Sequence, residues 1–202
     1  MRVLRIPHST NVERVALALG HKGLAVEWVD VDPDDRASVR ALSGQDLVPV
    51  AEFDDGCVVT DSRAILRRLE ADHPDPPLWP AAPAARAQAD LFLEWFDEVW
   101  KGPPNRLADG PGAARSDDAE RLRGWTDRFE ALLGDGRPYL LGDAVTVADV
   151  LAQPFLRYGA VPPAADDRDP FHAVLVEHLP IRTGPYPRLR AWVARVDGLP
   201  RA

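Results

Sequence analysis

The stretch "IPHSTNVERVALALGHKGL", residues 6–24, decides how the rest of the chain is read. Val12, Val15, Ala16 and Leu19 recur at helical spacing and predict a helix over 10–22. Gly23 suits its end, because glycine enters the left-handed conformation that closes a helix at little cost. Thr10 and Glu13 have the spacing of a capping box, with Thr10 over the Glu13 amide and Glu13 reaching back. Ser9 then lies one residue outside the cap. Local chemistry alone leaves two uses for the run Ser9, Thr10, Asn11: starting a helix, or handling a substrate.

Before this helix, "RVLRI" at 2–6 reads as a strand, and after it "AVEWVDV" at 25–31 reads as a second, rich in β-branched and aromatic residues. "DDRASVRAL" predicts a short helix or turn. "VPVAEFDDGCVVTD", 48–61, predicts a hairpin turning at Asp55-Gly56. "SRAILRRLEAD", 62–72, is amphipathic, with Ile65, Leu66 and Leu69 on one face. The order is β-α-β, a short helix, then β-β-α. A proline-rich segment around 76–84 interrupts it. Beyond lie helical patterns at 85–100, 116–135 (begun by Ser116), 146–159, 169–179 and 186–199, and no convincing strand. The organisation expected is an α/β domain over 1–75, a linker over 76–84 and an all-helical domain over 85–202.

The 202 residues carry a net charge of −8, a surface that repels nucleic acid and anionic membrane. No apolar run approaches the ~20 residues that span a bilayer. With Cys57 as the single cysteine, an intrachain disulfide is impossible. The expected setting is cytoplasmic, and Cys57 itself is expected in the core. The five histidines give no metal-ligand spacing, so no metal is expected. A glycine loop for phosphate and a nucleophile elbow for a serine hydrolase are both lacking.

Several separated segments together resemble the glutathione transferase superfamily: "STNVERVALALGHKGL", "LVPV", "TDSRAIL", "YLLGDAVTVADV" and "YPRLRAWVARV". The resemblance implies a thioredoxin-like N-terminal domain followed by a helical bundle. It implies that Ser9 donates a hydrogen bond to the sulfur of glutathione, favouring thiolate over thiol. It implies a cis Val48-Pro49 bond that offers the Val48 backbone to the cysteinyl unit. Ser62 would hold the γ-glutamyl carboxylate at a helix N-terminus, and Asp61 the ammonium group. His8, beside Ser9, either lines the pocket or is solvated. The partners implied are a small thiol, a small apolar electrophile bordered by the helical domain, and a second copy in a homodimer.

One departure bears on the thiol. Asp46 and Leu47 stand where similar proteins often carry lysine or glutamine for the glycyl carboxylate, and Asp46 would repel that group. Gln45 could substitute, or another low-molecular-weight thiol could replace glutathione. A non-catalytic binding protein that keeps the fold is the alternative. In the second domain Phe92, Trp95, Phe96, Val99 and Trp100 form an apolar stripe, and Trp125, Phe129, Leu132 and Leu133 read as core. Thr146 and Asp149 form a further capping box, with Val145 and Val150 placed as a hydrophobic staple.

Overall fold

The computed structural model describes residues 1–110 and 115–202. Residues 1–78 with 199–202 form one compact unit, and residues 79–198 a second.

The first unit holds β1 (Arg2–Arg5), α1 (Thr10–Lys22), β2 (Glu27–Asp30), α2 (Ala37–Ser43), β3 (Val50–Glu52), β4 (Val58–Thr60) and α3 (Ser62–Asp72). The sheet order is β2-β1-β3-β4. β1 and β2 run parallel, as a helical crossover requires, and β3 is antiparallel to both β1 and β4. This is the thioredoxin-like arrangement that the resemblance implies. Strand alternation sends Leu4 and Val50 into a cluster with Val31 and Val39, against which Ile6, Leu42 and Val48 pack. α1 and α3 pack on each other and bury Val15, Leu19, Ile65, Leu66 and Leu69.

Glycine is required at one helical position of this unit. A Cβ on Gly20 would stand 2.1 Å from the Pro200 carbonyl oxygen, because residues 199–202 lie directly against α1. Arg201 pairs with Glu13, and the Trp28 indole donates to the Ala202 carbonyl at 3.0 Å. Lys22 is buried and donates to Glu70, His73 O and Pro76 O, tying the end of α3 and the following turn to α1.

The second unit is helical: α4 (Pro83–Trp95), α5 (Gly102–Ala108), α6 (Arg115–Leu132), α7 (Val147–Ala160), α8 (Pro170–His178) and α9 (Pro187–Asp197). Among the described residues no helix is long and apolar enough to cross a membrane. Three expectations are corrected here, and one helix is added. The 85–100 helix ends at Trp95, and a π-helical turn, Phe96–Trp100, follows. That wider turn stacks Phe96 on Trp100 at 4.4 Å and turns Val99 outward, so the stripe is not one face. α5 falls in a segment outside the expected helical patterns; it opens on Gly-Pro-Pro, and proline is tolerated in a first turn, where the amide has no partner to lose. The stretch 101–112, which the resemblance places near the mouth of the substrate pocket, includes residues 111 and 112, which lie outside the described residues. α6 already includes Arg115, which leaves Ser116 inside the helix. Leu132 is 36% exposed, because the chain tightens into a 3-10 turn that buries Leu133 instead.

The Thr146–Asp149 capping box is present. Thr146 Oγ1 accepts from the Ala148 amide at 3.3 Å, and Asp149 accepts from the Thr146 amide at 2.9 Å. Thr146→Ala removes the cap contact and the hydroxyl's hydrogen bond to Asp149 at 3.0 Å, and should lower stability by about 1–2 kcal/mol in urea unfolding. An effect above about 3 kcal/mol would mean that the hydroxyl carries more than these two bonds.

Candidate thiol site

The sheet register gathers the expected site segments. Leu4 of β1 is opposite Val50 of β3, and Val50 is opposite Thr60 of β4. The last residues of β1 and β4 and the first of β3 therefore share one end of the sheet. Ser9 follows β1, Val48-Pro49 precedes β3, and Asp61-Ser62 follows β4, so all three segments emerge at that end. α1 and α3 also begin there, and both bring their positive N-termini to it.

At the start of α1 the capping assignment is reversed. Ser9, not Thr10, occupies the N-cap position, and its carbonyl accepts from the Glu13 amide at 2.9 Å. Its hydroxyl makes no capping hydrogen bond. Thr10 is the first helical residue and is buried. Glu13 turns to Arg201 rather than back to the cap. The half-buried Ser9 hydroxyl bonds to no other described residue. His8 is exposed and sits at φ 66°, a left-handed backbone that a non-glycine residue adopts at a cost.

The Val48–Pro49 bond is cis. The Val48 side chain packs on the Leu4–Val50 cluster, while its backbone N–H and C=O bond to no described residue. Asp61 takes φ 70° and caps α3, accepting from the Arg63 amide at 2.8 Å and the Ala64 amide at 3.2 Å. Those two bonds leave the Ser62 amide, the first of the helix, without a partner among the described residues. Such an amide, with a hydroxyl beside it, suits a carboxylate.

Sequence reasoning missed Arg14. It is buried at 1% exposure, and one guanidinium nitrogen donates to Asn11 Oδ1 at 3.1 Å and to Ser62 Oγ at 3.2 Å. It thus links the first turn of α1 to the first residue of α3. The available signal was an arginine inside an otherwise apolar helical run.

The Asp46 departure also looks different in place. Its carboxylate accepts from Arg40 at 2.7 Å, and its carbonyl accepts from Arg36 at 2.9 Å. The aspartate is neutralised by its own neighbours rather than facing a ligand as a bare charge. Gln45 folds back, donating to the Leu47 carbonyl at 2.9 Å, so its amide holds the loop that leads to Pro49. Cys57 is exposed, contrary to expectation. It belongs to the hairpin turn that precedes β4, where its amide donates to Asp55 at 2.9 Å. Among the described residues no group of three or more His, Cys, Asp or Glu could hold a metal ion.

Residues 4–77 match the family model of the glutathione S-transferase N-terminal domain, and residues 111–200 that of the C-terminal domain. A probable maleylacetoacetate isomerase of Caenorhabditis elegans is 37% identical over 153 residues, 71% of each chain. FtsZ-localized protein A of Caulobacter vibrioides is 29% identical over 174 residues, 74% of each. The crystal structure of a glutathione S-transferase from Rhodospirillum rubrum F11 superposes with a TM-score of 0.74 at 25% identity, covering 98% of this chain and 88% of that one. Two domain matches in the family's order, a relative well above 30% identity and a shared fold agree: this chain belongs to the glutathione S-transferase superfamily.

Proposed function

We propose that the chain is a glutathione-transferase-type enzyme that activates a bound thiol for attack on, or isomerisation of, a small apolar electrophile. The supporting observation is the meeting of Ser9, Val48 and Ser62 at one end of the sheet, each with a hydrogen-bonding group that no described residue uses. The Ser62 amide and hydroxyl receive the γ-glutamyl carboxylate, and Asp61 the ammonium group. The Val48 backbone pairs with the cysteinyl unit. The Ser9 hydroxyl donates to the sulfur, and the N-terminus of α1 adds partial positive charge. Holding thiol and electrophile together supplies much of the remaining acceleration. With Arg40 cancelling the Asp46 charge, Arg36, which donates to the Pro33 and Asp46 carbonyls, offers the positive charge that the glycyl carboxylate needs in place of the family's lysine. The isomerase relative makes isomerisation as reasonable as conjugation, and the family makes a homodimer the expected assembly.

Likeness to FtsZ-localized protein A over most of the chain favours the second reading, a binding protein that keeps the fold. Calorimetric titration with reduced glutathione separates the two. Saturable binding that weakens about tenfold in Ser62→Ala supports the enzyme. No binding up to millimolar concentrations rejects glutathione as the co-substrate. Arg40→Ala should weaken binding about two- to fivefold at low salt and less at high salt, since exposed charges are screened. An effect independent of salt would remove Arg40 from this role.

A further inference from the structure

Given the assignment of Ser62 to the γ-glutamyl carboxylate, on which this step rests, we propose that Arg14 is a positioning residue of the thiol site. It turns the Ser62 hydroxyl hydrogen toward that carboxylate and joins the two helix starts that hold the ends of the ligand.

Arg14 sits where packing alone would select an apolar side chain. Val15, Leu17 and Leu19 of the same helix are equally buried. A charge taken out of water is costly there unless its donors are used. One guanidinium nitrogen is used twice, on Asn11 Oδ1 at 3.1 Å and on Ser62 Oγ at 3.2 Å. Asn11 lies in the first turn of α1, two residues after Ser9, and Ser62 is the first residue of α3. A single nitrogen thus ties the sulfur end of the site to its carboxylate end.

The direction of the second bond carries the chemistry. A guanidinium has donors only, so Ser62 Oγ must accept from Arg14, and its own hydrogen is left to point elsewhere. That hydrogen reaches no acceptor among the described residues, and Ser62 is only 3% exposed, so bulk water is a poor substitute. A serine hydroxyl otherwise rotates to suit whichever partner it meets. Arg14 removes that choice. A carboxylate then finds a donor already set beside the Ser62 amide, which lowers the cost of ordering on binding. Charge acts in the same sense. A cation against the first residue of α3 opposes the helix dipole, whose N-terminal end is already positive. Capping does not call for it, because Asp61 already takes the Arg63 and Ala64 amides. A carboxylate bound at the Ser62 amide and hydroxyl turns that opposition into attraction.

The test is a double-mutant cycle of Arg14→Lys, Ser62→Ala and the pair, read by glutathione calorimetry on the full chain. Lysine keeps the positive charge, but its amine ends one bond short of the guanidinium nitrogen. Arg14→Lys should weaken binding by up to the roughly tenfold expected of Ser62→Ala, because it acts through that hydroxyl. The pair should bind no worse than Ser62→Ala alone. Arg14→Met, which buries no charge, carries the same cycle should the lysine variant fail to fold. The pKa of the bound thiol should not move in Arg14→Lys. A merely structural loosening of α1 would raise it, since Ser9 holds the N-cap position of that helix. Effects of the two changes that multiply, Arg14 variants that bind like the wild type, or a bound-thiol pKa that rises in Arg14→Lys would each overturn the role of Arg14 and leave the thiol site standing. A wild-type chain that binds no glutathione would overturn both.

Discussion

Asp149→Ala should destabilise the protein by roughly 3–6 kcal/mol, because buried donors left without an acceptor cost about 1–3 kcal/mol each. Asp149 is fully buried and accepts from four donors. Leu140 N–H and Trp192 Nε1–H reach one oxygen, each at 2.8 Å, and Thr146 reaches the other through its amide at 2.9 Å and its hydroxyl at 3.0 Å. Burial pushes its carboxyl above the usual carboxylate range, although all four bonds pull the other way. The residue therefore joins the turn before α7, the first turn of α7 and the middle of α9. Alanine would strand the Leu140 amide, the Thr146 amide and the Trp192 indole together. Since whole domains are stable by about 5–15 kcal/mol, this one change removes a large share of the total. Urea unfolding of the two proteins reads the difference directly. Asp149→Asn should fall between them, because it keeps one acceptor oxygen and turns an amide hydrogen toward a donor. A loss below about 1 kcal/mol for the alanine variant would mean that the hub is dispensable.

Ser9→Ala should lower turnover about 10- to 100-fold near neutral pH with little change in thiol affinity. A hydrogen bond to a charged acceptor is worth about 1.5–3 kcal/mol, or one to two pKa units of thiolate stabilisation. The direction follows from the proton count. Removing the donor raises the thiol pKa, so less thiolate is present at any pH below it, and the acid limb of the pH–rate profile moves to higher pH. At a pH above both values the two enzymes should converge. Steady-state kinetics across pH, beside glutathione calorimetry, checks both parts. An equal loss at every pH would assign Ser9 to positioning instead. Unchanged turnover would take it out of the chemistry.

Much of the thioredoxin-like unit was legible because its signals are local. Periodicity marked α1 and α3, the Asp55-Gly56 turn marked the hairpin, and α3 runs over Ser62–Asp72 as its sequence predicts. The misreadings arose where a distant residue decides. Thr10 and Glu13 have capping-box spacing, yet Arg201, far along the chain, draws Glu13 away. Arg14 reads as an ordinary helical arginine until α3 brings Ser62 beside it. Asp149 was legible as a cap, because Thr146 is three residues away, but its bonds to Leu140 and Trp192 were not. The π-turn after Trp95 has no periodic signature of its own, so an i, i+4 stripe was carried through it. At the candidate site, the family resemblance, not local chemistry, named Ser9, Val48, Pro49, Asp61 and Ser62. Only the strand register showed why they share one end of the sheet.

The most direct test of the central claim is the pKa of the bound thiol, read from the ultraviolet absorbance of the thiolate while pH is varied with glutathione saturating the protein. The account predicts a value at least about one unit below the ordinary thiol value of about 8.5, and its return most of the way in Ser9→Ala. A bound thiol that titrates like the free one, or a lowered value that Ser9→Ala leaves in place, would contradict it.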